Sequence, residues 1–325
     1  MTRRFSRREL GALVGGAALA GVAEGLGPES SGRRSGRGIV GVAPLGADQD
    51  NRVDESEATA AVGAALRAAT GAPDVAKAVR SLFSRSDIVG VKLNCLGGKR
   101  LSPRPQLVLA LVDWLVAGGV ARRNIILFER SDRELERAGF RINRDGDGLR
   151  CFGTEKDWDR RPSVSGSIGS CYARLVSETC TALIGFGVVK DHDLAGVSAS
   201  LKNWYGVIHN PNKYHDNQCD PYVADVVRHP LIRDKLRLTV LDGVTAQCHG
   251  GPAYRGSEVF PLGRVAASVD PVAADLWAWR VIDRERVRRG MPTLEAAGRP
   301  PRFIATAANY GLGEGDPSRL VEVEA

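Results

Sequence analysis

The sequence predicts an α/β protein: a mostly parallel open sheet with helices on both faces and an irregular polar excursion around residues 139–172. Three observations predict it. Short apolar runs of strand length alternate with longer helical stretches along most of the chain. Several helical stretches open on a Ser or Asp followed by Pro or by a capping box. The composition, 43% hydrophobic and 26% charged over 325 residues with 38 Gly and 6% aromatics, is that of a loop-rich globular chain. It excludes a disordered chain, a fibrous repeat and a multi-span membrane protein.

The elements follow in order. Residues 38–42 read as a first strand, 54–69 as an Ala-rich helix, and 73–83 as a second short helix. Residues 87–94 are an apolar run with polar ends, as in a buried parallel strand. Ser102 as cap and Pro103 at the first helical position predict a helix to Ala117, ended by Gly118-Gly119. A strand follows at 124–129, then a helix from the capping box Ser131-Asp132-Arg133-Glu134. Beyond the polar stretch 139–172, a short helix is expected at 175–180, a strand at 182–189 and a helix at 198–207. Asp220-Pro221 repeats the helix start, and 236–242 and 265–269 read as strands. Asp270-Pro271 opens a helix to about Arg288, and the tail carries a helix near 302–309 and a strand at 320–323. Residues 39–325 are expected to form a single α/β domain.

The N-terminus reads differently. Arg3, Arg4, Arg7 and Arg8 precede a Gly/Ala-rich apolar run from Leu10 to Ala23. A basic start, a short apolar stretch and small residues are the pattern of an export signal. Ser6-Arg7-Arg8-Glu9-Leu10 resembles the twin-arginine signal. Residues 1–23 are therefore expected to be a signal peptide read by the twin-arginine translocase, and 24–38 a flexible linker. The protein is expected in the periplasm or outside the cell, touching the membrane only through that signal. The four arginines against Glu9 supply three of the net +7 charges. No basic run interleaved with aromatics remains elsewhere, so nucleic acid is not an expected partner. Six cysteines without a C-x2-C pair encode neither a zinc ribbon nor a ferredoxin-type iron–sulfur motif.

Ligands of open α/β sheets bind beyond the carboxyl ends of the strands. Those ends carry Lys92-Leu93-Asn94, Glu129-Arg130, Lys190-Asp191-His192 and Asp242. Lys92, Lys190 and Lys202, with Asn94, Arg130, Ser198 and Asn203, are expected to clamp a small anionic ligand, Ser198 adding helix N-terminal amides. Lys190, His192 and Lys92 are the candidate catalytic groups. The plainer alternative pairs Lys92 with Glu129 or Asp242. His192, His209, His215 and Cys219 are candidate ligands for a transition metal, His215 and Cys219 sharing a face if that stretch is helical. Gly196-Val197-Ser198-Ala199-Ser200 lacks the last Gly of a nucleophile elbow, and neither a dinucleotide fingerprint nor a Walker A loop is present.

The blocks Val89-Gly90-Val91-Lys92-Leu93-Asn94, Val189-Lys190-Asp191-His192, Ser200-Leu201-Lys202-Asn203-Trp204-Tyr205-Gly206 and 265–275 resemble the proteins grouped as domain of unknown function 362. Gly311-Leu312-Gly313 with Asp316 is similar to their C-terminal turn. The resemblance makes Lys92, Asn94, Lys190, His192, Lys202, Asn203, Asp270 and Asp275 the family-like polar positions. The iron–sulfur module that some such proteins add is missing from this sequence. The functional expectation is an exported enzyme acting on a small anionic substrate, redox and metal-assisted chemistry included. The alternative is a non-catalytic extracytoplasmic metal- or anion-binding protein. A binder needs only the clamp, whereas an enzyme needs a titratable group inside it.

Overall fold

A computed structural model of the chain describes residues 36–48, 52–145 and 148–325. The signal peptide and linker readings lie outside the described residues, apart from the last few linker positions. Eleven strands are described: β1 Gly38–Pro44, β2 Val89–Leu93, β3 Ile125–Glu129, β4 Arg150–Gly153, β5 Ser163–Ser165, β6 Ile168–Ser170, β7 Ala182–His192, β8 Gly196–Val197, β9 Leu236–Gln247, β10 Val259–Ser268 and β11 Leu320–Glu324. All but β5 and β6 join one nine-stranded sheet, ordered β11-β1-β10-β9-β7-β2-β3-β4, with β8 on β7. The central pairs β9/β7, β7/β2, β2/β3 and β3/β4 are parallel, and so is β1/β11. The β1/β10, β10/β9 and β7/β8 pairs are antiparallel. The α/β expectation with a mostly parallel sheet holds.

Helices cover both faces. α1 (Glu55–Thr70), α2 (Val75–Leu82) and α3 (Pro105–Ala117) pack an apolar core against one face. α5 (Tyr222–Arg228), α7 (Pro271–Arg288) and α8 (Phe303–Asn309) pack on the other, with α7 shared between two apolar clusters. Short α4 (Asp132–Ala138) follows β3, and α6 (Pro230–Arg233) precedes β9. Asp54, Ser131 and Asp270 each accept backbone N–H groups at a helix start, as their sequence positions imply, and Asp74 does the same at the start of α2, inside the expected 73–83 helix.

Four details correct the sequence reading. α3 starts at Pro105 rather than Pro103, because the Arg104 amide and guanidinium both bind the buried Asp242 carboxylate, at 2.9 and 2.6 Å. β4 emerges from the polar stretch as an edge strand; four residues are too few to show a period. β9 and β10 run longer than their apolar runs, since each extends the other's ladder from Val259↔Gln247 to Ser268↔Thr239. The expected helix at 198–207 is a tighter 3-10 turn over Leu201–Val207.

The chain passes from β2 outward to β3 and β4, then returns across β2 to β7. Connections therefore diverge on either side of the β2/β7 pair, and a crevice opens at the carboxyl ends of the strands there. Among the described residues no helix is long and apolar enough to cross a membrane. The six cysteines are free thiols.

Candidate functional site

A cavity of about 400 Å³ sits in this crevice. Its lining includes Lys92, Asn94, Glu129, Arg130, Glu134, His192, Ser198, Lys202, Asn203, Tyr205 and His215. The ends of β2, β3 and β7 supply Lys92, Asn94, Glu129, Arg130 and His192, α4 supplies Glu134, and the 3-10 turn after β8 supplies Lys202, Asn203 and Tyr205.

The three lysines play three different parts. Lys92 is 1% exposed and donates to Glu129 Oε1 at 2.5 Å, to the Leu93 carbonyl at 2.6 Å and to Asn203 Oδ1 at 3.2 Å. Glu129 also accepts the backbone N–H groups of Cys95 and Arg130, at 2.8 and 2.6 Å. This buried pair is the plainer of the two sequence readings of Lys92. Gly206 is required beside it: a Cβ there would lie 2.8 Å from Lys92 Nζ and 3.1 Å from Glu129 Oε1. Lys190 is fully buried and donates to Asn94 Oδ1 at 3.0 Å. It lies behind the cavity wall and acts on it through Asn94, so the expected convergence of three ammonium groups on one ligand reduces to two. Burial, partly offset by Glu129, pushes its pKa down to about 8.

Lys202 is 6% exposed and lines the cavity. Among the described residues no carboxylate lies within ion-pair distance of it. Its Nζ is 3.2 Å from His215 Nε2 and 4.0 Å from the centre of the Tyr205 ring. Cys219, buried beside it, has a thiol pushed up by desolvation and so adds no charge. Burial lowers the Lys202 pKa to about 8. His215 donates through Nδ1 to the Pro211 carbonyl at 3.0 Å, which leaves Nε2 as the acceptor facing Lys202. Burial and then Lys202 lower its pKa.

His192 accepts from the Leu194 and Ala195 amides at Nδ1, at 3.2 and 3.3 Å. Its neutral ring therefore carries the proton on Nε2. Burial, reinforced by Lys202 and His215, lowers its pKa to about 2, so the ring is a neutral donor. It stacks on His215 with centroids 5.8 Å apart. The metal set expected from sequence does not assemble. His209 packs edge-on against Trp158, and among the described residues the donors within 4.8 Å of one another are Asp191, Asp193 and His249. Asp191 is already bound by Arg299 at 3.3 Å and by the Gly251 amide at 2.7 Å.

The amides expected to face an anion at the start of the Ser198 helix are engaged elsewhere. Ser200 and Leu201 N–H donate to the Asp275 carboxylate, at 2.7 and 2.8 Å. Ser198 itself does line the cavity. Glu134 and Tyr205 were missed as site residues. Glu134 reads as a capping-box member, yet its amide takes the cap at Ser131 while its carboxyl, raised by burial and by Glu129, lines the cavity.

Similarity to known proteins is limited. No curated protein matches. The chain is similar to a structural-genomics crystal structure of a Thermotoga maritima protein, at 12% identity and a TM-score of 0.42. That similarity covers 73% of this chain and 59% of the other, under two thirds of its length. Residues 89–280 match the family described as domain of unknown function (DUF362), a span that holds β2 through most of α7 and every residue of the cavity. The chain belongs to that family.

Proposed function

We propose that the protein is an acid–base enzyme acting on a small anionic substrate held in the β2/β3/β7 cavity. The observation that carries this reading is the Lys202–His215 pair. A buried ammonium without a carboxylate partner is costly in an empty site and favourable once an anion arrives. An imidazole nitrogen in hydrogen-bond reach then gives the same group a route for its proton. Arg130 adds a second cation, while Glu129 neutralises Lys92.

Calorimetric titration with small carboxylates and inorganic phosphate tests the binding half. Lys202→Met is expected to weaken the anion that binds by about 10- to 100-fold, the worth of one charge-assisted hydrogen bond of ~1.5–3 kcal/mol. The same variant is expected to raise the stability of the ligand-free protein. The folded pKa of Lys202 lies below its ordinary 10.5, so charging it costs stability as pH falls through the window from 10.5 to about 8. Methionine removes that cost at neutral pH. Unchanged affinity with lowered stability would assign Lys202 to the scaffold. The catalytic half is read by incubating a bound carboxylic acid with the protein in deuterium oxide. C–H exchange that disappears in His215→Gln supports an enzyme; binding without exchange makes this a binding protein.

We also propose that the protein works after export by the twin-arginine route, on the strength of Ser6-Arg7-Arg8-Glu9-Leu10. Arg7→Lys/Arg8→Lys is expected to leave full-length precursor inside the cell, visible by fractionation and immunoblot. Normal export of that variant would remove the reading.

A further inference from the structure

Resting on the anion-binding reading of the cavity, we propose that Lys202 is an imine-forming lysine and that the substrates are small oxo acids, compounds with a ketone or aldehyde carbonyl next to a carboxylate. Three separate geometric facts select this lysine. Lys92 is held as an ammonium by Glu129 at 2.5 Å, which keeps its lone pair occupied. Lys190 is hydrogen-bonded to Asn94 behind the wall and does not line the cavity. Lys202 alone of the three both faces the cavity and lacks a carboxylate partner among the described residues. A desolvated lysine of this kind is the type that reacts as an amine.

The neighbours complete the chemistry. His215 Nε2, 3.2 Å from Lys202 Nζ with its tautomer set by the Pro211 carbonyl, takes the proton that frees the amine. The amine attacks the substrate carbonyl carbon; a C–N bond forms as the C=O π bond breaks, and one of the two amine protons passes to the oxygen, giving a neutral carbinolamine. The imidazolium of His215 returns its proton to the hydroxyl, the C–O bond breaks and water leaves as the nitrogen lone pair forms the C=N bond. One carbonyl and one ammonium thus become one protonated imine and one water. No oxidant is needed. The neutral Nε2–H of His192 is placed on the same cavity wall to donate to the carbonyl oxygen as it gains charge. Arg130, which also lines the cavity and has no carboxylate within ion-pair distance among the described residues, supplies the cation for the substrate carboxylate.

The test is borohydride trapping on the full-length protein with pyruvate, glyoxylate and 2-oxoglutarate as probes. Hydride reduces an imine to a stable secondary amine, and peptide mass mapping locates it. The expected result is one reduced adduct per chain, on the peptide carrying Lys202, formed with at least one probe and lost in Lys202→Arg. His215→Gln, which keeps the amine, is expected to slow adduct formation and shift its pH profile upward. Absence of adduct with all three probes, or label spread over exposed lysines, would overturn the proposal. Calorimetry with lactate and inorganic phosphate separates the two readings. If these bind the wild type and not Lys202→Met while no adduct forms, the anion site stands and the imine falls. If neither anion binds and no adduct forms, both fall.

Discussion

Replacing Lys92 by methionine is expected to lower the unfolding free energy by about 3–5 kcal/mol, the cost of leaving a buried charge without its partner. Glu129, its partner, is 4% exposed and would keep only the Cys95 and Arg130 amides, at 2.8 and 2.6 Å. Two neutral donors do not replace an ammonium at 2.5 Å. Asn203 would lose a donor as well, although its own N–H to the Lys92 carbonyl at 2.9 Å survives any change of side chain. Denaturant titration reads the loss directly. Lys92→Met/Glu129→Gln is expected to recover part of it, because the amide carries no charge and keeps an acceptor for one of the two backbone groups, which bind different carboxylate oxygens. Equal destabilisation in the single and double variants would mean that lost packing, not the orphaned carboxylate, sets the cost. The contrast with Lys202→Met, expected to stabilise the empty protein, is sharp: two lysines of one cavity should move stability in opposite directions, because one has a carboxylate and the other does not.

Asp275 carries the second large effect. Its carboxylate is fully buried on α7 and receives the Ser200 and Leu201 amides at the start of the 3-10 turn that bears Lys202 and Asn203. Asp275→Ala leaves two buried N–H groups without acceptors, at ~1–3 kcal/mol each, so a loss of about 2–6 kcal/mol is expected. The turn would lose its anchor, and anion binding should weaken along with stability. Burial raises the Asp275 pKa from 3.8 to about 7, against the pull of the backbone amides. The sign follows: the folded state binds a proton that the unfolded state has already released, so this contribution is complete below pH 3.8 and is lost as pH rises through about 7. Asp275→Asn should flatten the stability profile between those two values in melts taken across the range. A profile as steep as the wild type's would place the titration on another group.

Much of the fold could be read because local physics decides it. Asp54, Asp74, Ser131 and Asp270 stand where a side-chain oxygen meets free amides, and each begins a helix in the structure. β2 and β3 are short apolar runs and β7 opens on a longer one, all three are buried strands, and each ends in polar residues that line or back the cavity. Strand ends and a parallel sheet together place Lys92, Asn94, Arg130, His192, Ser198, Lys202 and Asn203 around one crevice, and that much of the site follows from the order of residues alone.

What no linear reading could decide is which charge meets which. Glu129 lies 37 positions from Lys92, and only the β2/β3 pairing brings them to hydrogen-bond distance. Lys190 at a strand end and Lys202 in the expected 198–207 helix are both read as cations facing one ligand, yet one ends behind the wall on Asn94 and the other inside the cavity on His215. The start of α3 moved to Pro105 because Asp242, on β9, claims Arg104. The amides after Ser198 were lost to a ligand because Asp275, on α7, takes them. His209 and Cys219 share a polar stretch with His192 and His215 in the sequence, but folding turns His209 toward Trp158, and although His192 stacks on His215, no three of the four gather their ligand atoms within 4.8 Å of one another. The sequence by itself determined the fold class, several of the helix caps and the edge of the sheet where polar side chains gather, since these depend on periodicity and on contacts a few residues apart. The tertiary structure alone decided which lysine is neutralised and which, among the described residues, is left without a carboxylate partner, because ion pairing acts through distances of a few ångströms between segments far apart in the chain.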